Sequence, residues 1–172
     1  KVDDINNTNL YKLETPTFTY NAIIKGSWKD KEHPVKKEIV LKVGAQIMFV
    51  KNDPNPDKQF YNGKIGVIEE IEDDIIWVKC DDEDNLIEVR PLEWENIKYA
   101  IDAQTKEISE NVIGRFVQHP LKLAWAITIH KSQGLTFEKA IIDASAAFTH
   151  GQVYVALSRC KNLEGMVLNS PL

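Results

Sequence analysis

Leu123-Ala124-Trp125-Ala126-Ile127 runs directly into Thr128-Ile129-His130-Lys131-Ser132-Gln133-Gly134, and the reading of the fold turns on this stretch. The first five residues are apolar without interruption, the pattern of a strand buried on both faces. The next seven have the composition of a capped turn or short helix. Thr128 can accept a backbone N–H at its start, and Gly134 can close it in left-handed backbone. Further along, Ala140–Asp143 is a second apolar strand, Gln152–Cys160 is helical, and Met166–Leu168 is a last strand. Strand, helix and strand in alternation predict an α/β fold with a parallel sheet.

Before this stretch the character changes. Val2 to Leu13 has helical spacing of apolar residues and is followed by Pro16. Thr15 to Ile24 alternates, as a strand does, and Gly26 to Pro34 is a polar loop. From Ile39 to about Tyr99, short alternating runs are separated by turn residues. These strands are Gln46–Lys51, Lys64–Ile71, Ile75–Cys80 and Leu86–Arg90. Asn62-Gly63 is a hairpin signal, and Pro54 and Pro56 bar a strand between. Trp94–Asp102 and Lys106–Gln118 form a longer hairpin around Asp102–Thr105. The spacing suggests a small β-barrel or sandwich. The expected organisation is an α/β domain from residues 1–38 and 119–172, with a β domain of residues 39–118 inserted.

The chain has 172 residues and is 43% hydrophobic, enough for a packed core. Its net charge of −5 argues against a protein that simply coats nucleic acid. The acid is concentrated in Glu69–Asp74 and Asp81–Asp84. Between Leu121 and Lys161 the balance reverses, with Lys122, Lys131, Lys139, Arg159 and Lys161 against Glu138 and Asp143. An anionic ligand is therefore expected in the C-terminal third. Cys80 and Cys160 have no metal-ligand spacing, and a reducing interior fits them. No apolar run is long enough to cross a membrane, so no membrane partner and an intracellular location are expected. The chain begins at Lys1 rather than Met, which suggests a longer parent.

Two segments carry chemistry. Thr128, His130, Lys131, Ser132 and Gln133 cluster at the end of a strand, where α/β sheets bind ligands, and such donors suit phosphate oxygens. An ordinary capped surface turn explains them about as well. Gln152 and Arg159 lie two turns apart on one helix, with Val153, Ala156, Leu157 and Cys160 available to the core. A fixed guanidinium can neutralise a transferring phosphoryl group. A surface arginine near a helix C-terminus is the plainer explanation. No G-x-x-x-x-G-K-[ST] loop occurs, since Gly63-Lys64 is followed by Ile65. His33 and His119 adjoin prolines in expected loops, and His150 precedes the helix. No metal site is expected. Trp77 and Trp94 are expected in the β core. Phe60 and Tyr61, at a loop tip with Lys51 and Lys58, could stack on a base, and ordinary packing explains them about as well.

Ala124 through Thr136 resembles motif V of the RecD/Pif-like branch of superfamily 1 helicases, and Val153-Tyr154-Val155-Ala156-Leu157-Ser158-Arg159 resembles their motif VI. Val43-Gly44-Ala45-Gln46-Ile47-Met48, Asn62-Gly63 and Gly66-Val67-Ile68 resemble the SH3-like insertion between motifs IV and V. Val2-Asp3-Asp4-Ile5-Asn6 resembles the helix after motif IV. The resemblance covers nearly the whole chain in the family's order. It implies the second RecA-like motor domain, with its SH3-like barrel, of an ATP-driven enzyme moving 5′ to 3′ on single-stranded DNA. By that resemblance Thr128, His130, Lys131 and Ser132 approach the DNA backbone. Gln133, Gly134 and Gln152 lie on the nucleotide side, and Arg159 is the catalytic arginine finger. ATP and Mg²⁺ would be held mainly by a first RecA-like domain outside this chain. The chain alone is then expected neither to bind the nucleotide nor to hydrolyse it. The pathway, DNA repair or another, is left open. The alternative is a non-enzymatic binding module that uses the SH3-like unit, and a P-loop in the parent would decide against it.

Overall fold

Val2–Lys12 forms helix α1, as its spacing predicts, with Leu10 buried and Asn6 Nδ2 donating to the Leu123 carbonyl at 3.5 Å. This computed structural model describes residues 1–81, 84–101, 108–145 and 150–169. The expected hairpin turn at Asp102–Thr105, and Asp82 and Glu83 of the acidic turn, lie outside the described residues. The chain divides into two units, Asp4–Trp125 and Ala126–Leu172 with Lys1–Asp3. Among the described residues no helix is long and apolar enough to cross a membrane.

In the first unit the strands are β1 Phe18–Asn21, β2 Ile23–Gly26, β3 Glu38–Leu41, β4 Gln46–Phe49, β5 Ile65–Glu72, β6 Ile75–Lys79, β7 Ile87–Val89, β8 Leu92–Ile101, β9 Ile108–Gln118 and β10 Leu121–Leu123. An antiparallel sheet runs in the order β10-β4-β5-β6-β7. A second antiparallel sheet is β2-β9-β8, and β1 pairs with β3. Asn62-Gly63 turns into β5 with Gly63 at φ 101°, and Asp73 at φ 50° makes the turn from β5 to β6. Leu41, Ile47, Phe49, Ile68, Ile76, Val78, Val89 and Leu121 form the buried core. Burial alternates along β6, with Ile76 and Val78 inward and Ile75, Trp77 and Lys79 half-buried. Trp77 is thus on the face away from this core, and Trp94 is half-buried against Phe116, with ring centroids 6.0 Å apart.

The apolar run at Leu123–Ile127 is not a parallel strand. Only Leu121–Leu123 is strand, and it pairs antiparallel with β4, Leu121 opposite Phe49 and Leu123 opposite Ile47. Ala124 N then donates to the Gln46 carbonyl at 2.9 Å, and Gln46 Nε2 donates to the Ala124 carbonyl at 3.0 Å. An unbroken apolar run reports burial but not the direction of pairing. Strands β1, β2 and β10, which lie outside residues 39–118, also pair within this unit.

The second unit holds β11 Ala140–Ile142, helix α2 His150–Leu157 and β12 Met166–Leu168. Here the parallel pairing is present: Ala140 lies opposite Met166 and Ile142 opposite Leu168. Ile142 and Ala156 are buried. Gly165 lies against the strand approach so closely that a Cβ there would fall 1.8 Å from the Glu138 carbonyl oxygen.

Candidate nucleic-acid and phosphate site

Thr128 stops the chain in extended backbone, φ −78° and ψ 151°, and its Oγ1 accepts from Lys131 N at 3.3 Å. Ile129–Ser132 then makes one 3₁₀ turn. Ser132 N reaches the Thr128 carbonyl at 3.1 Å, and Leu135 N reaches the Ser132 carbonyl at 3.0 Å. Gly134 turns the chain out at φ 79°. The capped turn expected from the sequence is therefore present. Thr128, His130, Lys131, Gln133 and Gly134 are exposed on it. Ser132 is buried, and its Oγ donates to the Ile129 carbonyl at 2.7 Å. Its hydroxyl holds the turn together from inside.

The turn continues onto helix α2. Phe137 N donates to the Arg159 carbonyl at 2.8 Å, and Lys161 N donates to the Phe137 carbonyl at 3.0 Å. These bonds form a parallel bridge between Phe137 and Cys160. The side chain of Arg159 adds to the strap: Nη1 donates to the Leu135 carbonyl at 3.3 Å, one residue past Gly134. Its Nε donates to the Val155 carbonyl at 3.2 Å. Gln152 is half-buried on α2, but the helix ends at Leu157 rather than at the expected Cys160, so Arg159, also half-buried, lies in the turn just past it and not on a helix face shared with Gln152. Sequence reading named the arginine but not its contact with Leu135, because a carbonyl acceptor leaves no residue-type signal. Lys161 is paired with Glu138 at 2.7 Å, an interaction that, with its hydrogen bond, holds the Glu138 carboxyl below its ordinary range.

The candidates on the β unit separate. Phe60 is buried and stacked on Phe49, with centroids 4.4 Å apart, so it offers no face to a base. Tyr61 and Lys58 are exposed. Lys51 turns its Nζ over the Trp94 ring, 4.9 Å from the centroid, and burial lowers its affinity for a proton. The loop between is closed by Asp53, whose two carboxylate oxygens accept from Asn55 N at 2.9 Å and Gln59 N at 3.0 Å. His33 lies 5.1 Å from Phe116, ring to ring, and His119 is buried rather than in an open loop.

No protein-family model matches the chain. An ATP-dependent DNA helicase Pif1 from Campylobacter jejuni is 37% identical over 94% of this chain. The Xenopus laevis helicase PIF1 is 36% identical over 95% of it. A crystal structure of a Bacteroides Pif1 in complex with ADP-AlF4 matches 99% of the chain at 41% identity, with a TM-score of 0.86. This chain is homologous to a C-terminal part of the Pif1 helicases. It spans 38% of the Campylobacter Pif1 and 38% of the Bacteroides Pif1 chain. The mixed α/β architecture is that of the matching part of those Pif1 structures. A Bacteroides Pif1 has also been solved bound to single-stranded DNA, and the likeness to that structure has a TM-score of 0.79.

Proposed function

We propose that this chain works as the C-terminal motor half of an ATP-dependent DNA helicase that moves 5′ to 3′ on single-stranded DNA. In this reading residues 1–38 and 119–172 belong to a RecA-like domain, and residues 39–118 are its SH3-like insertion. The observation that carries the reading is the strap between Arg159 and the turn at Thr128–Gly134, through Leu135 and Phe137. These hydrogen bonds join the candidate DNA segment to the candidate phosphate segment. The Pif1 relatives named as ATP-dependent DNA helicases, and the Pif1 solved with single-stranded DNA, support it.

The exposed Thr128, His130 and Lys131 contact the DNA backbone, Lys131 as the cation. Ser132, being buried, acts by holding the turn. Gln133, Gly134 and Gln152 face the nucleotide side. Arg159 exchanges its Leu135 carbonyl for an oxygen of the γ-phosphate and neutralises charge that grows there during transfer. Giving up Leu135 loosens the turn, so phosphate state and DNA grip respond to the same side chain. ATP would bind mainly to the partnering N-terminal RecA-like domain, and a Mg²⁺ held there would help offset phosphate charge. No residue of this chain is assigned to Mg²⁺.

The test is Arg159→Ala in the full-length protein. ATP turnover stimulated by single-stranded DNA should fall about a thousandfold, as for lost arginine fingers. Affinity for a single-stranded oligonucleotide should fall far less, by about tenfold at most, because Arg159 touches no DNA in this reading and only its bond supporting the turn is lost. Unchanged turnover refutes the assignment. Unwinding of duplexes tailed at the 5′ or the 3′ end checks the polarity.

A further inference from the structure

Arg159, in the turn just past α2, is anchored twice at that end of the helix. Nε donates to the Val155 carbonyl at 3.2 Å, and Nη2 donates to Ser158 Oγ at 3.0 Å. Ser158 Oγ in turn donates its hydrogen to the same Val155 carbonyl, at 3.0 Å. The three groups close a ring. Val155 O accepts from both side chains, which fixes the hydroxyl rotor and points a lone pair at the guanidinium. Only Nη1 reaches off the helix, to Leu135.

A serine near a helix end often bonds a carbonyl one turn back, and Ser158 does so. The bond from Arg159 is additional and has a geometric consequence. A guanidinium is planar, with its donors in a fixed fork. Fixing Nε and Nη2 fixes the plane, and the plane fixes where Nη1 points. We propose that Ser158 is a positioning residue for Arg159, its hydroxyl setting the guanidinium plane so that Nη1 is presented off the helix to a phosphate oxygen. This rests on the reading of Arg159 as the phosphate-facing cation. Without the hydroxyl the charge remains but its orientation spreads, which slows the chemical step more than it weakens nucleotide binding.

The experiment is a double-mutant cycle in the full-length protein, with ATP turnover measured at saturating single-stranded DNA. Ser158→Ala should lower kcat about tenfold, the scale of one lost hydrogen bond to a charged group. KM for ATP should stay within about twofold, and Ser158→Thr, which keeps the hydroxyl, should stay near wild type. Lysine has no Nη2, so Ser158→Ala should add nothing to Arg159→Lys. A slow Arg159→Lys with a further full loss from Ser158→Ala overturns the positioning role and leaves Arg159's role standing. An equal loss in Ser158→Thr overturns it as well. A wild-type kcat in Arg159→Lys removes the reading of Arg159 and this proposal together.

Discussion

Burial leaves His119 with one ring nitrogen bonded and one not. Nε2 lies 2.8 Å from the Asp74 carbonyl oxygen, while Nδ1 is buried with no hydrogen-bond partner. A carbonyl can only accept, so Nε2 carries a hydrogen, and the proton gained on titration would go to the buried, unpartnered Nδ1. Its neighbours are as tightly placed. Tyr20 meets the ring edge-on at 4.5 Å and donates its own hydroxyl to the Asp73 carbonyl at 2.9 Å. Gln118 Nε2 donates to the Tyr20 and Lys37 carbonyls, each at 3.1 Å, and Gln118 Oε1 accepts from His119 N at 2.9 Å. The titratable groups here are Tyr20, Asp73 and Asp74. Burial, then the charges of Asp74 and Asp73, push the Tyr20 phenol up. Burial pushes the His119 imidazole below its ordinary value, partly offset by the bond to Asp74 and its charge. The folded chain therefore takes up this proton at lower pH than the unfolded chain does. Stability from this source is complete above the unfolded pKa of about 6.5 and declines as pH falls below it, by at most about 1.4 kcal/mol per pH unit. Urea unfolding between pH 7.5 and 5.5 should show this slope, and His119→Phe should flatten it. Parallel slopes in the two proteins would exclude His119 as the source. None of this was legible in His119-Pro120, which reads as a loop. Burial depends on Tyr20, far away in sequence, and local pattern carries no such contact.

Among the elements, those closed by local chemistry were legible and those defined by pairing were less so. The turn after Thr128 is specified by residues within it, a cap that accepts a nearby N–H and a glycine in left-handed backbone. The parallel pair β11 and β12 was likewise read from short apolar periods, and helix α2 was too, except that it ends at Leu157 rather than Cys160. Strand β10 was misread because its partner β4 lies far upstream, and composition is the same for either pairing direction. The expected core face of α2 is present only at Ala156, since Val153 and Leu157 are half-buried. The turn offers a prediction that separates backbone from sterics. A Cβ added at Gly134 meets nothing within 4 Å, so any cost of a side chain there within the chain comes from φ alone. Left-handed backbone costs an ordinary residue about 1–2 kcal/mol, and asparagine bears it better. In the full-length protein, Gly134→Ala should weaken binding of single-stranded DNA about tenfold, and Gly134→Asn should recover most of it. Equal losses in both would mean that the DNA or nucleotide itself packs against Gly134.

Across the whole molecule, charge is divided between the two units. Ala126–Leu172 with Lys1–Asp3 carries five basic residues against four acidic ones, and Asp4–Trp125 carries sixteen against twenty-two. The candidate site thus sits on the unit with a small positive excess, and the acidic blocks sit on the other. A coating protein would have gained affinity from every exposed lysine. A motor half needs a few contacts that can be released at each step. Only Lys131 is a cation on the exposed turn, and Lys161 is already engaged with Glu138. The 172-residue chain by itself should therefore bind a single-stranded oligonucleotide weakly, releasing counterions from about two or three phosphates. Each phosphate contributes about −0.7 to the slope of log affinity against log salt, so the slope should be roughly −2. Fluorescence anisotropy of a labelled oligonucleotide between low and moderate salt measures it. A slope of about −5 or steeper would mean that a wider basic surface is engaged and that the turn is not the main contact. The same preparation should show no ATP turnover with or without the oligonucleotide, because no G-x-x-x-x-G-K-[ST] loop occurs in its sequence. Turnover that copurifies with the chain and disappears in Arg159→Ala would overturn the division of labour, by giving this half a complete catalytic site.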